Sequence, residues 1–101
     1  MKTKGINLPR NKITDFCRRR RITEFALFGS ALRDDFHAHS DIDVLVTFAP
    51  DTHYSLFDLA CMQDELESIL GLKVDLVEKA SLRNPFRRYH ILKTLEILYA
   101  A

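Results

Sequence analysis

Apolar positions along the chain recur with two different periods, and the switches between them predict its elements. Residues 11–17, Asn-Lys-Ile-Thr-Asp-Phe-Cys, put apolar side chains at 13, 16 and 17, which is one face of a helix closing in Arg18–Arg21. Ile22–Phe28 has the β-branched and aromatic content of a strand, with Glu24 its one strongly polar position, and Gly29 ends it. Ser30–Phe36 reads as a short helix carrying Leu32 and Phe36 on one face, and 34–40 as a polar connection. Asp41–Phe48 is the clearest strand of the chain, bounded by Pro50 in a loop. From Ser55 the period lengthens: Leu56, Leu59, Ala60, Leu66, Ile69 and Leu70 recur at helical spacing until Gly71 stops them as a C-terminal cap. Leu72–Val77 is a third strand, and Pro85 opens a closing helix that carries Phe86, Tyr89, Ile91, Leu92, Leu95, Ile97, Leu98 and Tyr99.

The order α-β-α-β-α-β-α predicts an α/β fold, a small mixed sheet of three strands with helices packed against it. Residues 1–101 are expected to form one domain, with 1–9 as a flexible lead.

Composition narrows the function. The chain is 47% hydrophobic and 29% charged, with 15 basic against 14 acidic residues and a formal charge of +1. That balance argues against general electrostatic binding to nucleic acid or to a membrane surface. No apolar run approaches the roughly twenty residues a membrane span needs. The start, Met-Lys-Thr-Lys-Gly, lacks the apolar core of a signal peptide. Cys17 and Cys61 have no metal-ligand spacing and no paired framework, so two free thiols in a reducing cytoplasm are expected. Two basic clusters keep two readings each. Arg18–Arg21 reads as cations at a helix C-terminus or as a nucleic-acid contact. Arg83, Arg87 and Arg88, interleaved with Phe86 and Tyr89, read as the outer face of an amphipathic helix or as a surface for RNA or a partner.

The candidate chemistry lies in Leu27-Phe28-Gly29-Ser30-Ala31-Leu32-Arg33 and Ser40-Asp41-Ile42-Asp43-Val44-Leu45-Val46. Side chains alternate along a strand, so Asp41 and Asp43 project to one side and Ile42 and Val44 to the other. Two carboxylates this close repel unless a cation compensates. Hard divalent cations such as magnesium take oxygen ligands, commonly one or two carboxylates plus substrate phosphates. Asp75, inside the apolar Val74-Asp75-Leu76-Val77, is a natural third carboxylate if its strand neighbours the second one. Gly29 lets the backbone approach a ligand closely, and a helix starting at Ser30 would aim free amides at an anion. Taken singly, these are a polar start to a strand, an edge-strand aspartate and an ordinary N-capped turn. Together they describe a metal and triphosphate site. His37 and His39 beside it read as exposed loop residues, since magnesium-type sites favour oxygen; His53 and Tyr54 read as loop or as part of a nucleotide pocket.

These three blocks resemble the DNA polymerase β-type nucleotidyltransferase superfamily, and the length and closing helix, Leu82 to Tyr99, resemble its minimal nucleotidyltransferases. The match runs over nearly the whole chain from Ile22. The resemblance implies that Gly29 and Ser30 hold the nucleotide triphosphate, with Arg33 near its phosphates and Ser40 shaping the turn. It implies that Asp41 and Asp43 bind Mg2+ in a two-ion site completed by Asp75, which helps activate the acceptor hydroxyl. Larger members carry a further acceptor-binding domain for which this chain has no room, so the acceptor is expected from outside. Minimal members of this type are antitoxins that transfer AMP from ATP to a tyrosine of an adjacently encoded HEPN-type ribonuclease toxin. The implied function is therefore a cytoplasmic adenylyltransferase antitoxin in a hetero-oligomer with its toxin. The alternatives are an antitoxin that only binds and occludes, and nucleotidyl transfer to a small molecule.

Overall fold

A computed structural model describes residues 2–3, 6–7, 9–29 and 42–101 of the protein. Near the start, β1 (Lys2–Thr3) pairs antiparallel with β2 (Ile6–Asn7), a short ladder inside the segment expected to be a flexible lead. Helix α1 (Arg10–Arg19) buries Ile13, Phe16 and Cys17, the three positions its spacing singled out. It gives way at Arg21, which takes a left-handed conformation (φ 56°) and turns the chain into β3 (Ile22–Phe28). The expected helix over Ser30–Phe36 lies outside the described residues.

Beyond β4 (Ile42–Phe48), the chain crosses over through α2 (Leu56–Leu70). Both ends of α2 are set by local chemistry. Ser55 and Asp58 form a reciprocal capping box at its start, and Gly71, left-handed at φ 70°, ends it. Strand β5 (Val74–Glu78) follows, then one 3-10 turn at Lys79–Ser81 and α3 (Pro85–Thr94), whose first amides donate to the Asn84 side chain.

The closing helix is shorter than its apolar pattern suggested, and the sheet has a fourth strand. Leu95 leaves the helix with an extended backbone, and β6 (Glu96–Ala100) pairs antiparallel with β3, Phe25 opposite Tyr99 and Ala26 opposite Ile97. Ile97, Leu98 and Tyr99 fit either period by sequence. The free edge of β3, a row of amide and carbonyl groups, decides for the strand.

The four-stranded sheet runs β5-β4-β3-β6. Strands β4 and β5 are parallel; the other pairs are antiparallel. One face buries a large cluster built from Ile42, Val44, Val46, Phe25, Leu27 and Val74 against Phe16 of α1 and Met62 and Leu66 of α2. The opposite face buries a smaller one, Phe28, Leu45, Leu82 and Ile91, under α3. Among the described residues, no helix is long and apolar enough to cross a membrane.

Candidate active site

Strand alternation separates the core from the site. In β4, Ile42 and Val44 are fully buried in the large cluster, whereas Asp43 and Leu45 point to the face of α3. Leu45 is covered; Asp43, one step nearer the start of the strand, is half-buried. The same alternation in β5 puts Asp75 and Val77 on that face, with Asp75 exposed.

The register then brings the two carboxylates together. Asp43 lies directly opposite Asp75 across the parallel β4–β5 pair, and opposite Phe28 across β3. Neighbouring strands are about 4.8 Å apart, so the two acids share one end of one face. The condition set by the sequence, that the third strand must neighbour the second, is met.

Gly29 closes the same end. It follows Phe28 with φ 63°, a left-handed conformation that suits glycine. A Cβ built there would overlap Asp43 Oδ2 and lie 3.2 Å from Asp43 Cγ. The backbone therefore passes against the Asp43 carboxylate in space that only glycine leaves open.

The other predicted site residues, Ser30, Arg33, Ser40 and Asp41, lie outside the described residues, as do His37 and His39. Among the described residues no group of three acid, histidine or cysteine side chains is arranged to hold a metal. The donor chemistry nevertheless fits magnesium: two registered carboxylates are hard oxygen donors, and Asp41 is two residues from one of them in sequence.

The remaining sequence candidates have structural work. Three of the four arginines in the basic run are spent on ion pairs. Arg19 meets Asp15 at 2.8 Å and Glu65 at 2.6 Å, Arg20 meets Glu65 at 2.9 Å, and Arg21 meets Asp51 at 2.7 Å. Burial pushes the Glu65 carboxyl up, but hydrogen bonds from Arg20 and Arg19 outweigh it and hold the group below its usual range. Tyr54 donates to the carbonyl of Arg20 at 2.7 Å, so it ties the loop to the end of α1, while His53 is exposed. Arg88 donates to the carbonyls of Lys79 and Leu82 and pins α3 to the preceding turn. Phe86 and Tyr89 stand exposed on the outside of α3. Both cysteines are free, Cys17 buried and Cys61 exposed.

Two residues of the site's surroundings escaped the sequence reading. Gln63 and Glu67 of α2 look like ordinary polar helix positions; the one signal is their i, i+4 spacing, which puts them on one face. In the structure both accept hydrogen bonds from the backbone of β5.

A family model described as a nucleotidyltransferase domain matches residues 10–98. A relative in Methanocaldococcus jannaschii is 41% identical over 66 residues, 65% of this chain and 66% of its own length. The Thermococcus cleftensis protein adenylyltransferase MntA is 40% identical over 63 residues, 62% of each chain. The chain spans about two thirds of the length of the curated relatives it matches. Among solved structures, a toxin–antitoxin with AMP-PNP superposes with a TM-score of 0.75 at 25% identity, covering 93% of this chain and 75% of that one. A tri-AMPylated Shewanella oneidensis HEPN toxin in complex with its MNT antitoxin gives a TM-score of 0.65 at 22% identity, covering 91% and 70%, a likeness of fold alone.

Proposed function

The chain belongs to the nucleotidyltransferase domain family, and from that premise we propose that it is a magnesium-dependent adenylyltransferase antitoxin. It would move AMP from ATP to a tyrosine of a HEPN-type ribonuclease toxin and thereby silence it. The observation that carries this reading is the register of Asp43 with Asp75 at the end of the sheet that Gly29 closes. The adenylyltransferase name of a relative and the AMP-PNP bound in a similar toxin–antitoxin structure supply the donor and the class of partner.

In this mechanism Gly29 and Ser30 would receive the triphosphate, the role the family resemblance gives them. The family resemblance would assign Arg33 to the phosphates and Ser40 to the turn before Asp41. Asp41, Asp43 and Asp75 would hold magnesium, which when bound offsets the negative charge of the triphosphate and of the departing pyrophosphate. The acceptor tyrosine oxygen attacks the α-phosphorus in line. A new oxygen–phosphorus bond forms as the bond to the bridging α–β oxygen breaks, and pyrophosphate leaves with that electron pair. Asp75, the exposed carboxylate of the pair, takes the tyrosine proton. The small cluster on the α3 side packs Leu45 and Val77 immediately behind the acids, which fixes the strands that carry them.

Incubation with ATP labelled at the α-phosphate, magnesium and the helical protein encoded beside this chain tests the proposal. Label should appear on the partner and map by mass spectrometry to a tyrosine. Neutralisation of the partner with no label on it would favour occlusion instead. Label on a small acceptor, and none on the partner, would favour the small-molecule reading.

A further inference from the structure

Among the described residues, strand β5 is an edge of the sheet, with β4 as its strand neighbour. On the inner side, Ile42 donates to the carbonyl of Lys73 at 2.8 Å. The amides of Val74 and Leu76 point the other way, away from β4. An edge strand ordinarily leaves such groups to water. Here they go to α2, whose Glu67 Oε2 accepts from Val74 N at 2.8 Å and whose Gln63 Oε1 accepts from Leu76 N at 3.3 Å. Both acceptors are partly buried, and Val74 is 4% exposed, so these bonds are sheltered from water.

The two bonded amides bracket one residue, Asp75. Gln63 and Glu67 are one helical turn apart, and Leu66 between them is fully buried in the large cluster, so the helix offering the acceptors is itself fixed. Asp75 thus sits on a strand held on both sides, by the β4 ladder within and by two side chains without.

We infer that Gln63 and Glu67 form a clasp that sets the position of Asp75 opposite Asp43, making them positioning residues for the transfer reaction. This rests on the reading of Asp75 as the acceptor-side carboxylate. Neither residue touches substrate; each acts through the β5 backbone. Without the clasp the outer edge of β5 gains freedom at the residue where a small displacement alters proton transfer. Outer-shell partners of reacting groups typically contribute about 10–100-fold.

The test compares Glu67→Leu, which removes the acceptor, with Glu67→Gln, which keeps one. Amide hydrogen exchange reads the clasp directly: Val74, whose amide Glu67 accepts, should exchange at least about tenfold faster in Glu67→Leu, and Glu67→Gln should restore protection. AMP transfer to the partner should fall about tenfold in Glu67→Leu and recover in Glu67→Gln. In an Asp75→Asn background the same Glu67→Leu change should leave the residual transfer rate unaltered, because its effect passes through Asp75. Unchanged exchange at Val74 in Glu67→Leu overturns the clasp. Faster exchange with transfer unaffected, or lowered equally in both backgrounds, overturns the positioning role. If the unsubstituted protein transfers no AMP at all, it is the functional reading that has failed. Positioning is then read from Mn2+ broadening of the Asp43 and Asp75 amide signals, which should weaken in Glu67→Leu and return in Glu67→Gln. Broadening identical in all three proteins overturns it. Should Glu67→Leu not fold, Gln63→Leu gives the same comparison at Leu76.

Discussion

The two faces of the sheet are built to different ends. Among the described residues, one face and the helices α1 and α2 that seal it share a cluster of thirteen buried residues, with Phe16, Phe25 and Leu27 at 0% exposure. Among the described residues, the other buries a smaller cluster, Phe28, Leu45, Leu82 and Ile91 of α3, and carries Asp43 and Asp75 at its end. Apolar burial stabilises roughly in proportion to the area removed from water, so the first face supplies most of the stability. Strand alternation makes the division possible: neighbouring residues of β4 serve the core and the site in turn.

Truncation should separate the two faces. Phe16→Ala, at the centre of the large cluster, should cost about 3–5 kcal/mol in denaturant unfolding and leave transfer per folded molecule unchanged. Ile91→Ala, in the small cluster, should cost about 2 kcal/mol, at the low end for such changes, because its surroundings are thinner and 5% of it is already exposed. Equal losses at the two positions would erase the distinction between the faces.

Gly29→Ala asks whether the open end is shaped for Asp43. The left-handed backbone alone should cost about 1–2 kcal/mol. The new methyl group must also displace the Asp43 carboxylate, so transfer should fall further than the stability loss explains. A variant with lowered stability and full transfer would show that the close approach of Gly29 to Asp43 has no chemical role.

Electrostatics gives a smaller effect on the sealed face. Glu65 sits below its usual range in the folded state, so its pairing with Arg19 and Arg20 stabilises the fold above the unfolded carboxylate value, about 4.3. That contribution should be lost as pH falls through the lower folded value. Urea midpoints measured from neutral pH downward should therefore fall more steeply for the natural protein than for Glu65→Gln. Parallel curves would mean the pair stabilises nothing. The smallest effect concerns the thiols: burial pushes Cys17 up to about 12, so iodoacetamide should modify exposed Cys61 and spare Cys17 until the protein unfolds.

Much of this arrangement was legible in the sequence where local chemistry decides. The change of period at Ser55, the Gly71 stop and the apolar stripe of α2 are local signals, and the helix runs where they place it. Asp75 was legible as a third carboxylate for the Asp41 and Asp43 pair because strand alternation is rigid, although its meeting with Asp43 needed β4 and β5 to be neighbours. What escaped depends on contacts distant in sequence. Residues 96–100 continue an apolar pattern that suits a helix, and it is the open edge of β3, some seventy residues earlier by the chain, that makes them a strand. Gln63 and Glu67 gave no sign of their role, because a free edge at β5 exists only once the sheet is assembled.

The central claim is that the end of the sheet bearing Asp43 and Asp75 performs nucleotidyl transfer. Its most direct measurement is the intact mass of the proposed HEPN-type partner after incubation with ATP and magnesium, comparing the natural protein with Asp43→Asn and Asp75→Asn. Circular dichroism and thermal unfolding would establish that all three are equally folded. The natural protein should add AMP to its partner, and each substitution should reduce the rate by at least about a hundredfold. Transfer that persists at the natural rate in both variants, or neutralisation that proceeds in all three with no gain in mass, would contradict it.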